Sequence, residues 1–395
     1  MHPYPHKYVA SAAAQNAGLF GVTSPQLPSL DTAPPPEFDG PGGTWSPETL
    51  LCASLVGCFI LSFRPIARLA RFDWLRLDCR VEGLLDRVER VSQFTRFTTF
   101  ARLIGLNRAE AMFRAGTYFE APKLPARLGW EAAGEIEAIG AGVTGFSVGD
   151  AVSTIPAFSM NQYGVYGDVA IVPAHAVAKH PASLSWTEAA AIWMQYLTAY
   201  GALVEITRPK KGDAVLITAA SSSVGLAAIQ IVNSLEAVSI AITRTGAKRE
   251  ALLEAGAKHV IATHEQDMAQ EVMRLTENKG ARVAFDPVAG RELESLAAAV
   301  GNGGTIFEYG ALAPEPTPFP LFPALAKNLV IRGYNSYSIV GNPESLERGK
   351  RFVVDGLAAG RLKPVIARTF PLAEIVESHR YLESNQQIGK IVVTT

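Results

Sequence analysis

The chain has little cysteine, no excess charge of either sign and no hydrophobic run long enough to cross a membrane. Its 395 residues include three cysteines, Cys52, Cys58 and Cys79, too few for a disulfide scaffold and typical of a reducing compartment. A net charge of -1 argues against nucleic acid or acidic membranes as partners. The apolar run Leu50–Phe63 is too short to span a bilayer, and the N-terminus lacks a signal-peptide layout. We therefore expect a soluble, cytoplasmic protein that acts on a small molecule.

The first hundred residues predict a loop-rich segment with one helix and a hairpin. Residues 1–45 are rich in proline, glycine and alanine, with one strand expected near Tyr8. Ser46, Pro47 and an early carboxylate are typical of a helix start, and this helix is expected to stop around Arg64–Pro65. Apolar and polar residues alternate in two further segments, which predict the hairpin: Leu75–Gly83 and Ser92–Leu103.

The remaining chain changes from short strands to alternating strands and helices. Residues 128–178 contain three glycine-bounded candidate strands, which predict a compact barrel-like domain: 134–140, 149–154 and 167–172. From Ser185, helices alternate with six apolar strands: 214–219, 238–243, 259–263, 282–286, 304–309 and 329–333. Such alternation predicts an α/β, doubly wound parallel sheet. The final strand, Gln387–Thr394, is expected to rejoin the barrel.

One strand–turn–helix–strand unit carries a nucleotide-binding pattern. The apolar strand from Ala214 enters a turn of small residues, and an apolar helix follows. A helix N-terminus at this position suits a pyrophosphate, since it offers free N–H groups and a positive dipole end. Gly-x-Gly-x-x-Gly is present in altered form as Ala220, Ser222 and Gly225. The turn residues predicted to contact the cofactor are Ala220, Ser221, Ser222, Ser223, Val224 and Gly225.

The end of the next strand indicates which dinucleotide binds. An NAD site requires a carboxylate about 20 residues past the turn, but this chain has Thr243 and Arg244 there, followed by Lys248. Two cations suit the additional 2′-phosphate of NADPH. The alternative interpretation is that Arg244 and Lys248 are solvated residues of a surface loop.

Residues 104–395 resemble the medium-chain dehydrogenase/reductase superfamily, in its zinc-free quinone oxidoreductase-like branch. The matching motifs occur in order: Gly105–Glu110, Gly116–Tyr118, Gly129–Gly134, Val143–Asp150, Leu197–Tyr200, Ala219–Gly225 and Gly389–Val392. The resemblance implies a GroES-like β-barrel catalytic domain (104–190 and 335–395), a Rossmann NADP-binding domain (191–334) and an active site in the cleft between them. It also implies a homodimer that pairs the sheets of the nucleotide domains.

The same resemblance implies which residues form the active site. Zinc-dependent relatives have cysteine and histidine at the positions of Asn107 and Trp130, so no metal is expected. Asn107 and Tyr118 are implied at the substrate end of the cleft, although Tyr118 also fits an ordinary loop aromatic. Four residues are implied near the nicotinamide: Thr198, Tyr309, Gly310 and Ala311. Many family members have a tyrosine at the position of Phe113.

Residues 1–103 resemble a truncated, α+β part of the OsmC/Ohr thiol peroxidases. The similarity lies in three stretches: 34–43, 45–51 and 55–59. It implies that Cys58 attacks hydroperoxide, with Glu48 in the same site, but the half of that family that carries the resolving cysteine is missing. An inert helix cysteine is the alternative. The junction predicts a fusion in which Leu75–Leu103 replaces the lost opening strands of the reductase.

The sequence therefore predicts an NADPH-dependent, zinc-independent oxidoreductase that transfers hydride to a quinone or an activated carbonyl or enone. Two alternatives stay open at this point. One is a thiol-dependent hydroperoxide reductase centred on Cys58, and the other is a non-catalytic fusion remnant.

Overall fold

The computed structural model describes residues 8–15, 18–69, 81–88, 91–98, 103–140 and 142–395. The chain divides into two compact units, Met1–Phe100 and Ala101–Thr395. Within the described ranges, no helix has both the length and the apolar character needed to cross a bilayer.

The first unit contains short strands, a long helix and a hairpin. Its described elements are β1 (Ser11–Ala13), β2 (Phe20–Thr23), β3 (Leu30–Thr32), α1 (Pro47–Leu69), β4 (Glu82–Val88) and β5 (Val91–Thr98). The first three strands form an antiparallel sheet in the order β1-β2-β3, and β4 pairs with β5. Ser46 precedes α1, and its Oγ accepts the N–H of Thr49 at 3.2 Å. The predicted helix start is confirmed.

Three expectations for this unit need correction. Three short strands are present, and the first begins at Ser11 rather than near Tyr8. Helix α1 continues past Pro65 to Leu69, because a proline removes one backbone donor without abolishing the helical turns on either side. The hairpin is present, but its first strand begins at Glu82; residues 75–80 of the expected strand lie outside the described residues.

A six-stranded parallel sheet dominates the second unit. Its strands are β10 (Ala214–Ile217), β11 (Val238–Thr243), β12 (His259–Ala262), β13 (Ala281–Asp286), β14 (Val300–Glu308) and β15 (Val330–Gly333). The order β12-β11-β10-β13-β14-β15 is that of a doubly wound sheet and confirms the six predicted strands. Within β10, Val215 and Ile217 pack into one hydrophobic core while Leu216 packs into the other. Both faces of the sheet are therefore covered, which explains the continuous apolar runs.

Helices precede, connect and follow these strands. They are α3 (Trp186–Ala189), α4 (Trp193–Tyr200), α5 (Ser223–Ser234), α6 (Arg249–Glu254), α7 (Met268–Leu275), α8 (Glu292–Ala299), α9 (Leu321–Lys327), α10 (Tyr337–Val340) and α11 (Pro343–Ala358). Helix α4 continues into a π-helical turn over Gly201–Thr207.

A second six-stranded sheet of the same unit is mainly antiparallel. Its strands are β6 (Leu103–Gly105), β7 (Glu131–Glu135), β8 (Ala151–Thr154), β9 (Val177–Lys179), β16 (Ile366–Pro371) and β17 (Lys390–Thr394), with α2 (Arg108–Arg114) and α12 (Ile375–Glu383) beside them. The order β16-β17-β6-β7-β8-β9 confirms that the C-terminal strand rejoins this sheet.

Two expectations about this second sheet are wrong. The segment Leu75–Leu103 was expected to replace the lost opening strands of this sheet. In the structure β6 lies between β17 and β7, whereas β4 and β5 pair with each other. Among the described residues of that segment, Leu103 is therefore the only one in this sheet. Residues 167–172 are not a strand. The alternating apolar residues Val169 and Ile171 are exposed, and the Val169 carbonyl accepts from the Arg127 side chain at 3.0 Å. Apolar alternation there does not mark a buried face.

Candidate active site

The turn between β10 and α5 has the geometry of a phosphate-binding loop. Ala219 adopts a left-handed conformation (φ 43°), and Ser222 caps α5 by accepting the Gly225 N–H on its Oγ at 3.1 Å. A Cβ atom on Gly225 would lie 2.6 Å from the carbonyl oxygen of Ala220. Glycine is therefore required for the first turn of the helix to approach the loop. The structure brings the predicted residues Ala220 to Gly225 together at the start of a 12-residue helix.

The two cations predicted for the 2′-phosphate have different surroundings. Lys248 Nζ donates to Ser221 Oγ at 3.0 Å and to the carbonyls of Asn385 and Gln387, each at 2.9 Å. All three ammonium donors are used, so Lys248 links the phosphate loop to the segment before β17. Burial and the nearby Arg244 lower the pKa of Lys248. Arg244 is exposed, and among the described residues its guanidinium has no hydrogen-bond or ion-pair partner.

A carboxylate that the sequence analysis missed bonds to the loop that carries these two cations. Glu265 Oε1 accepts the N–H of Gly246, three residues after Thr243, at 2.6 Å. Its other oxygen is 3.7 Å from the guanidinium of Arg249. Glu265 follows β12 rather than β11, so a search for an acidic residue at the end of β11 does not find it.

The residues expected near the nicotinamide lie on α4 and beyond β14. The hydroxyl of Thr198 donates to the carbonyl of Met194 at 2.5 Å, within its own helix. Tyr309 stacks on Phe285 with ring centroids 4.0 Å apart, and its buried hydroxyl has no hydrogen-bond partner among the described residues. The backbone of Gly310 and Ala311 is exposed just past Tyr309.

Two carboxyl groups stand side by side at the carboxyl edge of the parallel sheet. Asp286 and Glu308 are paired in register, and Asp286 accepts from the N–H groups of Val288 at 3.0 Å and Ala289 at 2.7 Å. Neither oxygen of Glu308 has a hydrogen-bond donor in the described structure. Burial and the adjacent Asp286 raise the pKa of Glu308 to about 9. Burial and the neighbouring charge therefore favour the protonated form of Glu308 at neutral pH.

The amide of Asn107 is used entirely within the protein. Its Oδ1 accepts from Lys390 Nζ at 2.6 Å, and its Nδ2 donates to Gly105 O and Glu110 Oε1, each at 3.2 Å. The side chain is also buried, with 7% of the residue exposed. Both N–H groups of the Asn107 amide are therefore bonded within the protein, and its predicted place at the substrate end of the cleft stays a prediction.

A buried ion pair adjoins Asn107. Lys390 Nζ contacts Glu131 Oε2, and the two side chains are 0% and 1% exposed. The other oxygen of Glu131 accepts the N–H of Met194, in the first turn of α4, at 2.8 Å. Three motifs far apart in sequence, around Asn107, Glu131 and Lys390, thus meet at one point. Spacing alone cannot predict this meeting.

Glu110 is the centre of a second polar group. Oε2 accepts from Asn107 N at 2.9 Å and Tyr166 Oη at 2.8 Å, and Oε1 accepts from Asn107 Nδ2 and Trp130 N, each at 3.2 Å. Burial raises the pKa of Glu110, while the hydrogen bonds from Asn107 and Tyr166 and the charge of Lys390 oppose this increase. Four donors occupy the carboxylate, so the ionised form fits this site best.

Tyr166 extends the Glu110 group to His379. Arg114 lies 2.9 Å from His379 Nδ1, and an arginine can only donate, so the imidazole hydrogen is on Nε2, 3.1 Å from Tyr166 Oη. Burial and Arg114 lower the pKa of His379 to about 4. The histidine is therefore neutral at physiological pH.

Aromatic rings surround Tyr118. Its ring centroid is 3.9 Å from that of Phe119 and 5.5 Å from that of Trp130, and Phe119 meets Tyr337 edge-on at 6.2 Å. Burial, followed by Tyr337 and the carboxylates Glu120 and Glu110, raises the pKa of Tyr118. Among the described residues its hydroxyl has no hydrogen-bond partner. Tyr118 is thus a neutral donor that is free to bind a ligand, while Phe113 is fully buried beneath it.

The residues at the zinc-ligand positions do not fit a metal. Trp130 donates its indole N–H to Phe158 O at 2.8 Å, and the Asn107 oxygen is bonded to an ammonium. Neither is a zinc ligand. In the described parts of the chain, no group of three or more His, Cys, Asp or Glu side chains is arranged to hold a metal ion.

The structure does not bring Glu48 and Cys58 into one site. Both lie on the continuous helix α1, ten residues apart, which corresponds to about 15 Å along the axis. Cys58 is exposed rather than buried, and Cys52 is half-buried.

Two family models match residues of the second unit, and known proteins are similar to the chain over about three quarters of its length. The family model "Alcohol dehydrogenase GroES-like domain" matches residues 101–182, and "Zinc-binding dehydrogenase" matches residues 223–354. A quinone oxidoreductase of Pongo abelii is 31% identical over 297 residues, covering 73% of this chain and 86% of the relative. A 2-haloacrylate reductase of a Burkholderia species is 29% identical, covering 73% and 88%. The Danio rerio synaptic vesicle membrane protein VAT-1 homolog is 28% identical, and this chain spans 63% of its length.

Solved structures give the same result. Mycobacterial Rv1454c complexed with NADPH superimposes with a TM-score of 0.69 at 27% identity, covering 75% of this chain and 90% of the other. Escherichia coli quinone oxidoreductase complexed with NADPH superimposes with a TM-score of 0.68 at 26% identity, covering 79% and 99%.

Proposed function

The chain belongs to the medium-chain dehydrogenase/reductase family, in its quinone oxidoreductase-like group. On that premise we propose that it is an NADPH-dependent, zinc-independent reductase. Its substrates would be quinones or other activated carbonyl compounds and enones. The observation that carries the proposal is the small-residue loop Ala219–Gly225 at the start of α5. Beyond the adjacent strand lies Arg244, whose guanidinium has no partner among the described residues.

NADPH is the cofactor that this loop fits. The N–H groups at the start of α5 would bind the pyrophosphate, and Arg244 would bind the 2′-phosphate. The exposed backbone at Gly310 and Ala311 would hold the nicotinamide end. When bound, the reduced nicotinamide supplies the hydride. For Lys248 we propose a positioning role instead of phosphate binding, because its three donors hold the loop and the chain before β17 together.

Tyr118 is the residue that we propose to contact the reacting oxygen. Its hydroxyl has no partner in the described structure, and its pKa is raised by burial, so it stays protonated and can donate to the developing oxyanion. Asn107 cannot do this, since Lys390, Gly105 and Glu110 already occupy its amide. The exposed ring of Phe119 beside Tyr118 suits a flat, conjugated acceptor.

The charge near these rings favours a neutral acceptor. Glu120 accepts the Asn161 amide at 2.9 Å and the Ser159 hydroxyl, which fix its orientation. Its negative charge contributes to the raised pKa of both Tyr118 and Tyr337, so it acts on both rings. An anionic acceptor such as a haloacrylate would be repelled there, which supports quinones and enones over carboxylates.

The test is NADPH oxidation with a panel of neutral quinones, enones and 2-chloroacrylate. We expect turnover with the neutral quinones. Tyr118→Phe should lower kcat by about a hundredfold while leaving the Kd for NADPH unchanged. The control is Tyr381→Phe, which removes a hydroxyl from a ring that packs on Phe370. Folded protein that oxidises no NADPH with any acceptor would refute the proposal.

A homodimer that pairs two copies of β15 is the partner we propose. β15 is an edge strand, and it and α9 expose an apolar surface formed by Phe319, Leu321, Phe322, Leu325 and Val330. An uncovered apolar edge favours pairing with another strand. Sedimentation velocity should give twice the monomer mass, and Phe322→Glu with Val330→Lys should give the monomer. A wild-type monomer at micromolar concentration would contradict this pairing.

No peroxidase function is proposed for residues 1–103. Cys58 and Glu48 are too far apart on α1 to act on one hydroperoxide.

A further inference from the structure

Glu265 occupies a hydrogen-bond donor in the loop that faces the proposed 2′-phosphate. This loop runs from Thr243, where β11 ends, to Lys248. The N–H of Gly246 is one of its backbone donors, and Glu265 Oε1 accepts it at 2.6 Å. The second carboxylate oxygen lies 3.7 Å from Arg249, which keeps the carboxylate turned towards the loop.

The two cations of this loop differ in whether their donors are already used. Lys248 Nζ donates its three hydrogen bonds to Ser221 Oγ and to two backbone carbonyls. The guanidinium of Arg244, in contrast, has no partner among the described residues. A 2′-phosphate arriving here would meet an attractive Arg244 and a repulsive Glu265. It would also compete with Glu265 for the Gly246 N–H.

We propose that Glu265 is a specificity-determining residue that limits the preference for NADPH over NADH. Arg244 favours the phosphorylated cofactor, and Glu265 opposes it by like charge and by occupying Gly246 N–H. Lys248 is a positioning residue that serves both dinucleotides equally. This inference rests on the proposed function, since it assumes that NADPH binds at this loop.

The experiment compares the Kd values of NADPH and NADH for wild type and Glu265→Gln by isothermal titration calorimetry. Glutamine keeps an acceptor for the Gly246 N–H and removes only the charge, so the loop should stay intact. We expect NADPH to bind about tenfold more tightly and NADH to change less than about twofold. The gain should shrink as the salt concentration rises, because the charges are near the surface. The matched control is Glu250→Gln, which removes a charge from the exposed first turn of α6.

Two further variants separate the roles. Arg244→Ala should weaken NADPH selectively, and Lys248→Met should weaken both dinucleotides by the same factor. If Glu265→Gln leaves the ratio of the two Kd values unchanged, or weakens NADPH, the inference is wrong while the proposed function stands. If wild type binds neither dinucleotide, both fail.

Discussion

Replacement of Lys390 by methionine tests the importance of the buried ion pair. The side chains of Lys390 and Glu131 are 0% and 1% exposed, so the substitution leaves a carboxylate without solvent or counter-ion. Asn107 Oδ1 also loses its donor at 2.6 Å. Breaking a buried pair from one side costs about 3–5 kcal/mol, more than either residue contributes by packing alone. We expect a loss of this size in the free energy of unfolding.

The measurement is urea unfolding followed by tryptophan fluorescence, with the free-energy change taken from the midpoint shift and the shared slope. The double variant Lys390→Met with Glu131→Gln provides the control, since it removes both charges and keeps an acceptor for the Met194 N–H. Its loss should be smaller than that of Lys390→Met alone by about 1–3 kcal/mol. Adding the Glu131 substitution should therefore partly restore stability.

Two results would refute this reasoning. One is a loss below about 1 kcal/mol for Lys390→Met, the value typical of a solvent-exposed pair. The other is a double variant less stable than the single one, because the charge on Glu131 would then not be the source of the cost.

Three further predictions follow from other parts of the second unit. Gly225→Ala should weaken NADPH binding at least about tenfold, because its Cβ would lie 2.6 Å from Ala220 O, whereas Gly140→Ala, with open space around it, should not. The pKa of Glu308 rises from 4.5 to about 9 on folding, so its contribution to the free energy of unfolding is lost as the pH rises from 4.5 to about 9. In thermal melts, Glu308→Gln should not show this loss of stability with rising pH. His379 is neutral in the fold, with a pKa of about 4 against 6.5, so stability should fall by up to about 3 kcal/mol as pH drops from 6.5 towards 4, and urea melts of His379→Gln should not show it.

The sequence predicts the parallel sheet well because its strands, apart from the exposed edge strand β15, are largely buried. Residues Ala214 to Ile217 are all buried, and the five other strands of this sheet show similar apolar runs bounded by turns. The turn at Ala219 and the cap at Ser222 also follow from local residue types. Such features depend on neighbours in the chain, so a single sequence contains them.

Contacts between distant segments could not be predicted in this way. Lys390 meets Asn107 across 283 residues of sequence, and Glu265 reaches Gly246 from the end of a neighbouring strand. The prediction of a strand at 167–172 was wrong for a related reason. Alternation marks a strand only when one face is buried, and burial is decided by what packs against the segment.

A buried ion pair and its hydrogen bonds hold the motif residues around Asn107 together. Lys390 is a fixed cation that neutralises Glu131 and orients the Asn107 amide, and Glu131 in turn holds the first turn of α4. A buried pair of this kind joins β7, β17 and α4, the helix that carries Thr198. Because Gly105 and Glu110 accept both N–H groups of the Asn107 amide, Asn107 has no donor left for a reacting oxygen. Asn107 and Tyr118 are the two residues predicted at the substrate end of the cleft. Of these two, Tyr118 is the one with a donor, its hydroxyl, that has no hydrogen-bond partner among the described residues.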